Sequence, residues 1–344
     1  MSDPHRPSLV LLGAHSSPYS RKMRAVLRYR RIPHEWVIRG SARDDLPPAP
    51  VPVIPVLGWR DDDGYCEVMV DSSPQITRLE GEYAERSIVP VDPATAFVDF
   101  LLEDFADEWI TKMMYHYRWA NDADAQKSGR LLPLDANLQL SDEHAAMMHD
   151  AFVERQVGRR AVVGSTDQTA PIIEASYERT LDALQAHLGE HDFFFGARPG
   201  RADFAVFGQL LPMMWWDPTP AAIAVERAPR SMMWNQWMDD LSSWLVAGDE
   251  GWVRAEDIPA TTRAFLREAG RTYAPFMVAN ASALADGADE VVCEIDGVEY
   301  RQAPFKYQAK CLEWIRAEHD ELSGTDQARV AAVLAGTGCE VLVP

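Results

Sequence analysis

The sequence predicts an α/β unit, then an all-α unit, then a small α+β extension at the C-terminal end. Three observations predict it. Short apolar runs alternate with helix-spaced segments through the first 90 residues. After Asp92-Pro93 the pattern turns helical and stays so for well over a hundred residues. Near the C-terminal end, 291–295 and 298–301 flank Asp296-Gly297, a dipeptide suited to a type I′ hairpin turn. The expected divisions are 1–90, 91–264 and 265–344.

Residues 9–12 form an apolar run that suits a buried strand. Pro18 suits the first turn of a helix. On that helix Met23, Val26 and Leu27 share one face, and Arg21, Arg24, Arg28 and Arg31 stripe another. Residues 34–38 alternate like a strand. Two more strands, 53–57 and 65–70, flank the turn Asp61-Asp62-Asp63-Gly64, and 73–85 reads as a helix. Phe97, Leu101, Phe105, Trp109, Met113 and Tyr117 recur every four residues along one long amphipathic helix. Further helices are expected near 141–160, 173–188, 201–215, 231–247 and 258–285, with surface loops at 129–140 and 164–171. A last helix covers about 305–322. The hairpin is too small to stand alone and has to pack on the rest.

The 344 residues include 33 Lys plus Arg against 53 Asp plus Glu, a formal net charge of −20. Neutralising phosphates needs the opposite balance, so nucleic acid is not an expected partner. With 47% apolar and 25% charged residues the composition is that of a globular protein. Cys66, Cys293, Cys311 and Cys339 contain no CxxC pair, which argues against a zinc site or a disulfide scaffold. Cys66 reads as buried strand filler. His116, His144 and His149 show no ligand spacing, so no metal is expected. The apolar runs 9–12 and 205–216 fall short of a signal-peptide core and of the roughly 20 residues of a membrane span. A soluble, cytoplasmic chain without a membrane partner is the expectation.

Three motifs carry the chemistry. Ser16-Ser17-Pro18-Tyr19-Ser20-Arg21-Lys22-Met23-Arg24 opens the first helix. Val53-Ile54-Pro55-Val56-Leu57 places a proline in a strand. Val70-Asp71-Ser72-Ser73-Pro74-Gln75-Ile76 turns a strand into a helix. A weaker fourth is Gly196-Ala197-Arg198-Pro199-Gly200-Arg201-Ala202-Asp203. In this order and spacing they resemble the glutathione transferase superfamily. Residues 8–88 look like its thioredoxin-like half and 94–260 like its all-helical half; residues from about 265 onward extend past it.

The resemblance implies a site for glutathione as co-substrate. A hydroxyl at the first helix start would stabilise the glutathione thiolate. A free thiol of pKa about 8.5 is only ~3% ionised at pH 7, whereas one lowered to about 6.5 is ~75% ionised. A charge-assisted hydrogen bond of roughly 1.5–3 kcal/mol suffices for that change, and the helix N-terminus acts in the same direction. Ser17, immediately before Pro18, is the expected donor, with Ser16, Tyr19 and Ser20 as alternatives. A Ser in this position also caps the helix.

The resemblance further implies a cis Ile54-Pro55 bond, with the Ile54 backbone facing the peptide. Asp71 would take the γ-glutamyl amine and Ser72 its carboxylate; helix capping is an alternative role for both. The arginine stripe is read as a solvated face or as positive potential for anionic glutathione. An apolar electrophile would lie against Met113, Met114 and Tyr117, which otherwise are plain helix core. Trp215, Trp216, Trp234 and Trp237 read as core or interface.

Two departures stand out. The run from Pro47 to Pro52 replaces a polar segment that in relatives meets the glycine end of glutathione. Gly200 takes the usual Ser or Thr position of a helix cap, although Asp203 is retained.

The functional expectation is a glutathione transferase-like enzyme of the detoxification type, working as a homodimer. Glutathione-dependent isomerases, dehalogenases and ether-cleaving enzymes share the first step. A non-catalytic binding or scaffold protein on the same fold is the rival. Ser rather than Cys at position 17 argues against thiol exchange, which needs a protein sulfur.

Overall fold

The computed structural model describes residues 7–246 and 251–344. Its first unit runs β1 (Leu9–Gly13), α1 (Pro18–Tyr29), β2 (His34–Ile38), β3 (Val56–Asp61), β4 (Gly64–Val70) and α2 (Ser72–Glu82). The strands form one mixed sheet of order β2-β1-β3-β4, with β1 parallel to β2 and β3 antiparallel to β1 and β4. Alternation sorts β1 between two layers. Leu9 and Leu11 join the main core with Met23, Val26 and Leu27 of α1, while Val10 and Leu12 meet Val37 and Val56 on the other face.

The third strand begins at Val56 rather than at 53. Pro55 precedes it and has no N–H to give to the ladder. Cys66 is exposed, not buried, because β4 is an edge strand whose outer face meets solvent.

The second unit centres on one long rod. It consists of α3 (Pro93–Phe105), a π-helical stretch Ala106–Ile110, and α4 (Thr111–Ala120). All six residues of the four-spaced stripe are buried. A strict spacing of four drifts about 40° round a 3.6-residue helix at each step. The i→i+5 bonds of a π turn widen the helix and take back part of that drift.

Helices α5 (Asp122–Ala136), α6 (Asp142–Gly158), α7 (Ala170–His187), α8 (Arg201–Leu211), α9 (Pro218–Arg227) and α10 (Pro229–Asp239) follow. The loop expected at 129–140 is helical up to Ala136. Gly129 there serves close packing rather than a turn: a Cβ would stand 2.5 Å from Val153 Cγ2 of α6. Helix α9 has no counterpart in the sequence reading. The helix expected over 231–247 is α10, which ends at Asp239; residue 247 lies outside the described residues. Trp234 is buried, whereas Trp215 and Trp237 are about half exposed.

The C-terminal extension is part of the same core. Helix α11 (Ala260–Asp286) runs unbroken across the division expected at 264 and packs on α7 and α3. It carries the hairpin of β5 (Val291–Ile295) and β6 (Val298–Gln302), whose turn residues Asp296 and Gly297 have φ of 56° and 72° as a type I′ turn needs. Tyr300 of β6 lies 5.8 Å from Trp109 and 5.7 Å from Phe276, ring to ring. Helices α12 (Lys306–Asp320) and α13 (Gly324–Leu334) then return across α3. Arg329 of α13 holds Asp92, the N-cap of α3, at 2.8 Å.

Candidate functional site

Three turns converge where the first unit meets the rod and the extension. The first is the β1–α1 turn. Ser17 is the N-cap of α1, its Oγ accepting the Ser20 N–H at 3.3 Å. Accepting one N–H leaves the hydroxyl proton to donate, so capping and donation to a thiolate are compatible in one side chain. The first turn of α1 carries no acidic residue, which preserves its positive potential. Ser16 is buried, and its carbonyl accepts the Arg118 guanidinium at 3.0 Å. Arg118 is itself held by buried Asp217 at 3.0 Å, so the helical unit fixes this turn from below.

The other two hydroxyls face inward. Tyr19 donates to the Asp107 carbonyl at 2.7 Å, and burial pushes its phenol well above the ordinary range. Ser20 is fully buried and accepts the Ala14 N–H at 3.3 Å. At the outer edge of the turn His15 pairs with Asp135 of α5 at 2.5 Å.

The second turn contains the Ile54-Pro55 peptide, which is cis. Gln75 of α2 clamps it: one side-chain amide donates to the Pro55 carbonyl at 3.2 Å and to the Met69 carbonyl at 2.7 Å.

The third turn starts α2. Asp71 has φ 79°, a region that non-glycine residues adopt at a price in strain. It sits at the N-cap but makes no side-chain capping bond to the described first turn, so the capping role considered for it is not the one adopted. Its Oδ2 instead accepts the hydroxyl of Tyr307, from α12, at 2.6 Å. Ser72 is buried, with its Oγ 3.3 Å from Lys22 Nζ.

Lys22 lies at the centre of a buried ionic cluster. Its ammonium bonds Glu103 Oε1 at 2.7 Å and Asp107 Oδ2 at 2.6 Å. Burial opposes its charge, but Asp107 and Glu103 outweigh burial and hold it up at about 12. Burial likewise opposes ionised Glu103, and Lys22 with Arg201 keeps it below its ordinary value. Ser73 Oγ donates to the same carboxylate at 3.0 Å. Farther along the rod burial outweighs the attraction of Lys112 for Glu108. There burial pushes Asp104 up to about 7 and Glu108 well above its usual range. Tyr273 of α11 donates its hydroxyl to Asp104.

The remaining expectations divide. Met113, Met114 and Tyr117 are 0%, 6% and 3% exposed, and Tyr117 packs 4.9 Å from Tyr177. They are interior residues of the helical core, not a wall open to a substrate. The residues of the arginine stripe all make contacts within the fold. Arg21 and Arg28 bind Asp239 at 2.6 and 3.3 Å, Arg31 donates to the Ser242 carbonyl at 2.7 Å, and Arg24 lies 5.4 Å over the Trp36 ring. Arg21 and Arg28 thus dock the first unit on α10. A surface cleft of about 570 Å³ lined by Arg130, Asp142 and His149 contains none of the expected site residues.

Sequence reasoning passed over Lys22, Arg118, Asp107 and Tyr307. Lys22 left a trace: it stands three residues after Tyr19 and beside Met23, on the inward side of an amphipathic helix, where a cation needs a partner. Tyr307 left none, being 236 residues from Asp71.

The comparisons accord with this layout. The family model described as the glutathione S-transferase N-terminal domain matches residues 11–87, and that described as its C-terminal domain matches 177–229. No curated protein matches the chain. Among solved structures, a glutathione S-transferase-like protein from Pseudomonas syringae is 17% identical, over 67% of this chain and 66% of that one, with a TM-score of 0.44. A glutathione transferase family member from Pseudomonas fluorescens Pf-5, solved with two glutathione bound, is 14% identical over 68% and 89%, with a TM-score of 0.43. A beta-etherase from Sphingobium sp. strain SYK-6 is 17% identical over 67% and 95%, with a TM-score of 0.45. With the N-terminal domain on the mixed sheet and the C-terminal domain on the helices, in that order, this chain belongs to the glutathione S-transferase superfamily.

Proposed function

We propose that this protein is a glutathione-dependent, transferase-type enzyme whose first step is ionisation of the glutathione thiol beside Ser17. One juxtaposition supports the reading. A helix-capping hydroxyl at the positive end of α1, a cis-prolyl turn, and an Asp-Ser pair at the start of α2 stand around one corner of the sheet. The γ-glutamyl amine would rest on Asp71 and the adjoining carboxylate on Ser72. The Ile54 backbone N–H and C=O would pair with the cysteinyl residue. The thiol proton leaves to solvent, and Ser17 donates its hydroxyl hydrogen to the resulting anion. That thiolate forms a carbon–sulfur bond to an apolar electrophile, either displacing a leaving group that departs with the bonding pair or adding to a double bond whose electron pair moves onto the substrate. Conjugation, isomerisation, dehalogenation and ether cleavage all begin from the same thiolate. A homodimer belongs to the same reading and is tested by light scattering.

The experiment is calorimetric titration with glutathione at pH 7 on the wild type and on Asp71→Ala. Saturable binding that the substitution weakens supports the reading. Absence of binding at millimolar glutathione overturns it. The run Pro47 to Pro52 favours a second reading, a non-catalytic binding protein. In place of polar side chains at the glycine end of the peptide it has prolines and small apolar residues. Glutathione binding without turnover of any electrophile would support that alternative.

A further inference from the structure

The C-terminal extension touches Asp71, an expected site residue, through a hydrogen bond from Tyr307. We infer that Tyr307 is a positioning residue of the γ-glutamyl subsite, orienting the Asp71 carboxylate toward the substrate amine; the inference rests on the glutathione reading above.

The contact is built rather than incidental. The start of α12 is pinned to two other helices. Asn280 of α11 donates to the Phe305 carbonyl at 3.0 Å and accepts the Phe305 N–H at 2.8 Å. Gln308 donates to the Glu108 carbonyl at 3.1 Å, and both Asn280 and Gln308 are buried. The Tyr307 ring meets Trp314 edge to face at 6.1 Å. Tyr307 thus stands on a fixed platform, and its hydroxyl is delivered to a chosen place.

Asp71 is a side chain that needs such a partner. Its backbone is held at positive φ, and its side chain takes no capping bond from the described first turn of the helix it precedes. Side-chain direction there is not set by capping. The Tyr307 hydroxyl takes one position on Oδ2. A carboxylate accepts about four hydrogen bonds over its two oxygens, so Oδ1 and the second lone pair of Oδ2 stay open to an ammonium. Burial first, then Cys311 and Asp71, pushes the phenol far above the ordinary tyrosine range, so the group remains a donor at any working pH. A neutral donor orients the carboxylate without cancelling the charge that attracts the amine.

The test compares two peptides on the wild type and on Tyr307→Phe. One is glutathione. The other is glutaryl-cysteinyl-glycine, which differs only in carrying hydrogen in place of the γ-glutamyl amine. A hydrogen bond to a charged group is commonly worth about tenfold or more in an equilibrium constant. Tyr307→Phe should therefore raise the Kd for glutathione roughly tenfold and leave that for the desamino peptide unchanged. Equal weakening of both peptides would assign Tyr307 a general structural role and overturn the inference. So would unchanged glutathione binding. Tighter glutathione binding would make Tyr307 a competitor of the amine and overturn it as well. If the wild type does not bind glutathione, the glutathione reading fails and the inference falls with it. Phenylalanine keeps the ring on Trp314, and the ratio of the two Kd values does not depend on how much of the sample is folded.

Discussion

The Asp99 carboxylate caps a helix that starts a hundred residues away, just after Gly200. Its two oxygens accept the N–H groups of Arg201 and Ala202, the first residues of α8, at 3.0 and 2.9 Å. Asp203 completes the cap by accepting the Gly200 N–H at 2.8 Å. The sequence suggests a cap weakened by glycine, but the missing Ser or Thr hydroxyl is supplied from α3. A Cβ at position 200 would lie 2.5 Å from Asp99 Oδ1. Gly200→Ser, which would improve most helix N-termini, should therefore destabilise this one. Asp99→Ala should cost about 1–2 kcal/mol as a lost cap. The double variant should recover part of that loss, because the serine then has both the room and the role. Urea melts of the four proteins measure the coupling; strict additivity would refute the substitution of one cap for the other.

The buried Lys22 ammonium faces two buried carboxylates. Lys22→Met keeps the volume and leaves Glu103 and Asp107 buried without their shared cation. Breaking a buried pair from one side commonly costs about 3–5 kcal/mol. Lys22→Met should thus be among the most damaging single changes in α1. Adding Glu103→Gln to it should restore part of the stability. Chemical denaturation gives both numbers, and a loss under about 1 kcal/mol would show that the cluster is solvated.

The carboxylates beyond that pair set a pH dependence. Burial raises Asp104 in the folded chain from an ordinary carboxylate value to about 7. The folded form therefore prefers the protonated acid. Its contribution to stability is complete below about pH 4 and is lost as the pH rises through 7. The groups acting on it are Tyr273, Asp107, Cys311, Glu103 and Glu108. Asp104→Asn keeps an acceptor for Tyr273 and cannot ionise. Its melting temperature should fall less between pH 5 and 8 than that of the wild type. Parallel curves would remove Asp104 as the cause.

Ser17 carries a structural and a proposed chemical role that separate experimentally. Ser17→Ala should cost about 1 kcal/mol of stability as a lost cap. Under the glutathione reading it should also raise the pKa of bound glutathione, read from thiolate absorbance against pH. Ser17→Asp would preserve the cap while repelling the anion. A stability change without any change in the thiol titration would leave Ser17 with the cap alone.

Much of the first unit is legible because its signals are local. The alternation of 34–38 and the Pro18 start of α1 each depend on a few adjacent residues, as does the Asp-Gly turn at 296 in the extension. The four-spaced stripe reveals the rod, though not the π turn that keeps the stripe on one face. What escapes the sequence is non-local. Gly129 looks like a turn residue until α6 is laid against it, and Gly200 looks like a weak cap until Asp99 arrives. The division expected at 264 falls inside α11, and nothing in the local pattern tells a helix inside one domain from a helix joining two. Of the site, the three motifs are visible from residue type and spacing. Their supports, Lys22 under Ser72, Arg118 under Ser16 and Tyr307 beside Asp71, exist only after folding.

The hydrogen bond between Asp71 and Tyr307 also has a meaning in time. A ribosome makes the corner of the sheet early and the tyrosine late, with the second unit, α11 and the hairpin between them. The nascent chain can fold its first unit as it emerges, but the Asp71 carboxylate waits for its partner until most of the protein has been synthesised. A chain released too early, or clipped ahead of α12, would have the motifs of the family without the hydrogen bond from Tyr307 to Asp71. Under the glutathione reading, completion of synthesis is then also what completes the γ-glutamyl corner.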